Sequence, residues 1–421
     1  MNILVIATGT RGDVQPRIAL GKQLLQGGHR VIVAAQALFS ASIAEAGLEI
    51  YPLSGDARKF FAGPIGVSLR ARMNDGKEFT RFWRAYVSPS VRRHLCEVLL
   101  ACQDVDAVIC EPWFQVAPTL RQILKVPCFV ACLTPVPSIP TSQFVYPFSQ
   151  RLSNVTVPAE YENSWSDADW FASAAFPDIK RWRAELSLET VEWEDYLKLV
   201  RDCPHLFGYS SHVLEKPSDW SELHQVTGYW FTCQDAKSSP SEALEYFIQA
   251  GSPPIVMGFS SQVCDDGVRI RNCFVRALRN TGRRGILLSG WGEVIQIDSK
   301  DCFCCQEAPY EWLLPRVAGM IHHGGAGSVG ECLRAGAPSF AIPQGYDGAF
   351  WGLRIAALGV GLDPMPMHTL TESRLSDSLH RLCEDRVLKQ KLKKVAALIQ
   401  EETRQAKALH SIEDFIHNGH C

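Results

Sequence analysis

One pattern in this chain occurs twice, and it limits the possible folds more than any other. "NILVIAT" (2–8) is a short apolar run rich in β-branched residues, as expected of a strand buried on both faces. A glycine-bearing loop follows, then Pro16 in the manner of a first helical residue, then Ile18, Leu20, Leu24 and Leu25 near helical spacing. Gly27 and Gly28 end that helix, and "RVIVAA" (30–35) supplies the next strand, completing a βαβ unit. Strands are expected at 106–112, 128–135 and 205–211, the last closing the first half. At 254–261, "PIVMGFSS" begins the series again, and 285–290, 319–325 and 339–344 continue it with helical patterns between. Two such series predict two doubly wound, parallel-sheet α/β domains facing across a cleft.

A chain of 421 residues suits two domains of about 200 residues each. The expected boundaries are a first domain over 1–216, a Pro- and Ser-bearing linker over 217–240 and a second domain over 241–396. The stretch 387–416 reads as a long helical tail, and its end, 397–421, is expected to pack back on the first domain. Residues 141–200, rich in Trp, Phe and Tyr, read as a helical insert, part of which lines a cleft.

The net charge of −3, with no basic run, argues against a nucleic-acid partner. The N-terminus lacks a basic leader, and no stretch reaches eighteen apolar residues, so a cytoplasmic protein is expected. The fifteen cysteines then read as small buried hydrophobes in a reducing compartment. "CFCC" (302–305) has no second C-x-x-C pair at zinc spacing, so no metal is expected there.

"MIHHGGAGSVGE" (320–331) places two histidines and four glycines between a strand and a helical pattern beginning near Ser328. Adjacent strand residues point to opposite faces, so His322 and His323 do not readily share a metal. A glycine-rich turn brings backbone N–H groups to an anion at the positive end of a helix. Ser328 adds a hydroxyl, one histidine a ring N–H, and Glu331 an acceptor suited to ribose hydroxyls. A nucleoside diphosphate fits this set. A tight turn with satisfied core histidines fits it too.

"ATGTRGDVQP" (7–16) is the counterpart in the first half. Its G-x-x-G (Gly9, Gly12) is not the dinucleotide fingerprint, and the second strand ends in "AAQ" without a ribose-binding acid, which disfavours an NAD enzyme. Asp13 lies at the carboxyl edge of the strand, where α/β ligands bind. It reads either as a general base or as a helix-capping aspartate.

"TGTRGDVQPRIALGKQLLQGGHRV" resembles the opening of sterol glucosyltransferases and antibiotic glycosyltransferases. "AGLEIYPLSGD", "TPVPSIPTSQFVYPFS", "APYEWLLPRVAGMIHHGGAGS" and "DGAFWGLRIAALGVG" extend the resemblance, in order, over nearly the whole chain, most weakly at 150–205. It implies the GT-B fold: two Rossmann-like domains, the first binding the acceptor and the second the nucleotide sugar. It implies Asp13 as catalytic base, with Gly9, Thr10 and Gly12 of the same loop among the residues that bind the nucleotide sugar. It implies His323 and Ser328 on the diphosphate, with backbone help from Gly324, Gly325 and Gly327, and Glu331 on the ribose. Ser261 matches the serine of a "GFGS" loop, here with Ser260 in place of the glycine. Asp347 matches the acid of a sugar-binding Asp-Gln pair, and Gly348 stands where that family has Gln. Tyr310 and Trp312 lie where the base docks, and Trp312 also fits a core position.

The implied reaction is inverting, metal-independent transfer, without a cofactor, from a UDP-sugar to a hydroxyl of an apolar acceptor such as a sterol, terpenoid or polyketide. The missing Gln opens the donor to UDP-glucose, UDP-xylose or a related sugar. Phe60, Phe61, Trp83, Trp113, Phe144 and Tyr146 are candidates for the acceptor pocket, though each also fits a core position. A lipid-like acceptor implies peripheral membrane contact. Two alternatives stand beside this: a GT-B nucleotide-sugar epimerase, which needs no acceptor pocket, and a nucleotide-sugar-binding relative without turnover.

Overall fold

The computed structural model of the protein describes residues 1–71, 76–143, 170–231, 240–259, 267–292, 294, 297, 299–343 and 347–418. It divides into two compact units. Met1–Ser211, Glu215–Thr232 and Gln405–Cys421 form one; His212–Leu214 and Cys233–Arg404 form the other.

The first unit is built on seven parallel strands: β1 (Asn2–Ala7), β2 (Arg30–Gln36), β3 (Glu49–Leu53), β4 (Ala107–Cys110), β5 (Cys128–Cys132), β6 (His205–Phe207) and β7 (His224–Val226). Their order is β3-β2-β1-β4-β5-β6-β7. β1 is central: Ile3 pairs with Val31 on one side and Ala107 on the other. Ile3 to Ala7 are wholly buried, which is why the run carries no polar residue. Each large aliphatic side chain so buried contributes about 1.5–3 kcal/mol relative to exposure. The chain leaves β1 for β2 and β3, then returns to place β4 on the other side of β1. The loops after β1 and β4 therefore part in opposite directions, which opens a crevice at their carboxyl ends.

The second unit has five parallel strands: β8 (Ile255–Gly258), β9 (Gly285–Leu288), β10 (Cys302–Cys305), β11 (Gly319–His322) and β12 (Ser339–Ala341). Their order, β10-β9-β8-β11-β12, repeats the device, with the reversal between β8 and β11. Val256, Ile286, Leu288 and Met320 of this sheet pack with Leu244, Leu313 and Leu314 into a core.

Several expectations are corrected. The first helix is Arg11–Gln26, so Pro16 is its sixth residue and not its first. The capping interaction of Thr10 and Asp13 starts the helix earlier than the proline, which removes only one N–H near the start. "CFCC" is the edge strand β10, and β3 was not anticipated. Strand β6 stops at Phe207 and is not the last of its sheet: β7 follows, inside the stretch 217–240. The tail is two helices, Arg386–Arg404 and Lys407–His417, broken at Ala406 with φ +45°. The second of them belongs to the first unit. Leu409 packs so closely on Gly27 that a Cβ there would lie 2.8 Å away, and His29 Nε2 lies 3.1 Å from Glu413. Among the described residues no helix is long and apolar enough to cross a membrane.

Candidate functional site

Asp13 stands at the carboxyl edge of β1, on the first turn of the helix that follows. Gly9 makes room for it. Its φ is +110°, and a Cβ there would lie 2.6 Å from Asp13 Oδ2. Thr10 donates to the same Oδ2 from its backbone N–H and from its hydroxyl, both at 2.8 Å. Oδ1 receives no hydrogen bond among the described residues. The helix-capping reading is thus correct for one oxygen, and the other is left for a proton. Burial raises the Asp13 pKa, against the lowering effects of Arg17 and Thr10. Gly12 is exposed and has no steric reason to be glycine.

Arg17, one turn on, is buried. Its Nη1 donates to the Asp13 carbonyl at 2.7 Å and its Nη2 to the Ala131 carbonyl at the end of β5 at 2.9 Å. Beside it lies a residue that the sequence reading passed over. Glu111, directly after β4, is wholly buried. Its Oε2 accepts the Trp113 N–H at 2.6 Å, and Oε1 has no hydrogen bond among the described residues. His94 Nε2, also without a hydrogen bond among the described residues, stands 4.0 Å from Oε1. Burial pushes Glu111 up to about 7 and His94 down to about 4. The buried Arg17 guanidinium lowers the pKa of both the Asp13 and the Glu111 carboxyl, and burial outweighs it at each. The signal in the sequence was an acid immediately after a fully apolar run, at the strand end where α/β sites form.

In the second unit, His322 ends β11 and its ring is wholly buried, with Nδ1 accepting the Gly324 N–H at 3.0 Å. It fastens the turn from within, and burial lowers its pKa to about 3. His323 points elsewhere: its ring lies across Gly325, where a Cβ would stand 2.4 Å from Nε2. Its Nδ1 is buried with no hydrogen-bond partner among the described residues, and burial lowers its pKa to about 4. Gly324 adopts φ +93°. The helix Ala326–Ala335 begins here, two residues before the expected start, and Gly327 is open to solvent. Ser328 is buried on its first turn, and its hydroxyl bonds no described residue. Glu331 Oε2 is held by Arg334 at 2.7 Å, which leaves one oxygen for another partner.

Asp347 Oδ2 accepts the Ala326 N–H at 3.2 Å and the Trp351 indole N–H at 3.0 Å. Gly348 is buried at the start of the helix Gly348–Ala357. Asp347 and Gly348 thus join His323, Gly324, Gly325 and Ser328 around one helix N-terminus. Tyr310 and Trp312 pack against the second core, and Arg316 lies over the Trp312 ring at 4.8 Å. Trp83 is core, whereas Phe60, Phe61 and Trp113 are partly exposed. Ser260, Ser261, Phe144 and Tyr146 lie outside the described residues.

Residues 3–118 match the glycosyltransferase family 28 N-terminal domain. Residues 303–408 match the C-terminal domain of proteins like erythromycin biosynthesis protein CIII. Sterol 3-beta-glucosyltransferase UGT80B1 of Arabidopsis thaliana is 31% identical over 97% of this chain and 67% of its own length. O-mycaminosyltylonolide 6-deoxyallosyltransferase of Streptomyces fradiae is 26% identical over 99% of this chain and 97% of its own. The chain spans only 26% to 33% of the length of several fungal sterol 3-beta-glucosyltransferases that it resembles. Among solved structures, the calicheamicin glycosyltransferase CalG4 superposes with a TM-score of 0.72 at 15% identity, covering 99% of this chain and 98% of that one. The fold is therefore GT-B, with two Rossmann-like units.

Proposed function

The chain belongs to the glycosyltransferase family that includes the sterol 3-beta-glucosyltransferases, and on that premise we propose that it moves a sugar, with inversion, from a UDP-sugar to a hydroxyl of an apolar acceptor in the cytoplasm. A sterol, terpenoid or polyketide is the acceptor class; UDP-glucose, UDP-xylose or a related UDP-sugar is the donor. The observation that carries the reading is a pair of groups at the two topological switch points. One is a carboxylate with an unbonded oxygen after β1; the other is an anion seat after β11.

In this mechanism Asp13 Oδ1 takes the proton of the acceptor hydroxyl as that oxygen attacks the anomeric carbon. The raised pKa makes Asp13 a better base than a solvated carboxylate. Thr10 and Gly9 hold its other oxygen and fix its direction. The leaving diphosphate gathers charge at the N-terminus of Ala326–Ala335, where backbone N–H groups, the Ser328 hydroxyl and the His323 ring offer donors. Glu331 takes ribose hydroxyls with its unbonded oxygen, and Asp347 takes sugar hydroxyls. No metal is required by this arrangement, because fixed dipoles supply the stabilisation. A lipid-like acceptor brings the protein to a membrane surface.

A thermal-shift screen of UDP-, TDP- and GDP-sugars tests the donor half. Binding at 100 times Kd stabilises by about 2.7 kcal/mol, so a UDP-sugar should raise the melting temperature measurably. If no nucleotide sugar shifts it, the reading fails.

A further inference from the structure

The Asp347 carboxylate sits on the backbone N–H that a diphosphate would need. Ala326 is the first residue of the helix Ala326–Ala335, so its N–H is one of the orphan donors of that terminus, and Asp347 Oδ2 takes it at 3.2 Å. The same oxygen accepts the indole N–H of Trp351, a fully buried ring that gives it a fixed second anchor. The two turns are packed close together. A Cβ on Gly324 would lie 2.3 Å from the Gly348 carbonyl oxygen, and one on Gly348 would lie 2.3 Å from the His323 carbonyl oxygen. The two turns touch backbone to backbone, so Asp347 leaves Ala326 only by rotating its own side chain. Meanwhile His323 Nδ1 is buried in the same turn with no hydrogen bond to any described residue.

We propose that Asp347 is a resident anion: its carboxylate occupies the diphosphate seat while the seat is empty and gives up the Ala326 N–H when a nucleotide sugar binds. This rests on the reading of that seat as a diphosphate site. Two anions at one helix N-terminus repel, so a diphosphate must displace the carboxylate or bind beside it. A complete donor brings the compensation with it, because its sugar hydroxyls offer Asp347 new hydrogen-bond donors. UDP alone brings none. Asp347 is therefore a positioning residue that couples sugar recognition to diphosphate recognition, and it favours release of UDP once the sugar has gone.

The test is UDP binding by isothermal titration to the wild type and to Asp347→Asn. The amide is neutral but keeps an oxygen that can accept from Ala326 and Trp351, so the fold should hold. UDP should bind the variant about tenfold more tightly, the size expected when one carboxylate stops competing at a helix terminus. Product inhibition by UDP should strengthen with it. Asp347→Ala, which removes charge and cap together, should also bind UDP more tightly than the wild type. Unchanged or weaker UDP binding in a folded Asp347→Asn variant overturns the inference and leaves the diphosphate reading intact. If the wild type binds no UDP, the diphosphate reading falls, and this inference with it.

Discussion

Gly324 and Gly348 are in backbone contact: a Cβ added to Gly324 would lie 2.3 Å from the carbonyl oxygen of Gly348. From sequence, Gly348 reads as a lost glutamine, and Gly348→Gln would be expected to turn donor choice toward UDP-glucose. A Cβ on Gly348 would itself lie 2.3 Å from the His323 carbonyl oxygen, which gives that glycine a second reason. Gly348→Gln should lower stability by about 1–3 kcal/mol, the usual range for overpacking, before any effect on donor choice. Urea unfolding measures it; a variant as stable as the wild type would show that the turn can open to admit a side chain.

Asp13→Asn should cut turnover by roughly 10²–10⁴-fold, the contribution of one positioned base. Its amide oxygen can still accept from Thr10, so the melting temperature and UDP affinity should change little. Turnover near the wild-type rate would move the base elsewhere, for instance to a histidine.

The histidine pair separates function from folding. His322→Ala removes the acceptor of the Gly324 N–H and a buried ring, so it should destabilise the protein by about 2 kcal/mol or more. His323→Ala should leave stability nearer the wild type and weaken both UDP binding and turnover. Equal losses of UDP affinity in two well-folded variants would contradict this division.

How much of this was visible in the sequence varies from one element to the next. β1 was legible because Ile3 to Ala7 are buried on both faces, and a fully buried strand can only be apolar. β7 is three residues, His224–Val226, too short to show a period. β10 hid behind its cysteines: Cys302 is buried, but Cys304 and Cys305 are both partly exposed, so the edge strand gives no alternation. Asp13 and His323 were found through their glycine-rich loops, whose composition follows from the close approaches at Gly9 and Gly325. Glu111 carries no such punctuation. Its importance comes from what surrounds it, namely Arg17 from the first helix and His94 from another, and such contacts between distant segments leave little local trace.

Glu111 gives a prediction in pH. Its pKa rises from 4.5 in the unfolded chain to about 7 when folded, so the folded state binds the extra proton between those values. Its contribution to stability is therefore full below about pH 4.5 and is lost as pH rises through 7. Relative to Glu111→Gln, the wild type should lose about 2–3 kcal/mol between pH 4.5 and 8, at ~1.4 kcal/mol per pKa unit. Comparing the two proteins cancels His322 and His323, which lie in the other unit and whose depressed pKa values act in the opposite direction as pH falls. A difference that is flat with pH would mean that Glu111 keeps its unfolded pKa in the folded protein.

The central claim is single-displacement transfer with Asp13 as base. The most direct measurement is the anomeric configuration of the glycoside formed from an α-linked UDP-sugar and a hydroxylated sterol or polyketide, read by proton NMR for the wild type and for Asp13→Asn. The account predicts a β-glycoside from the wild type and little or none from the variant. An α-glycoside, or a β-glycoside formed equally fast without the Asp13 carboxylate, would contradict it.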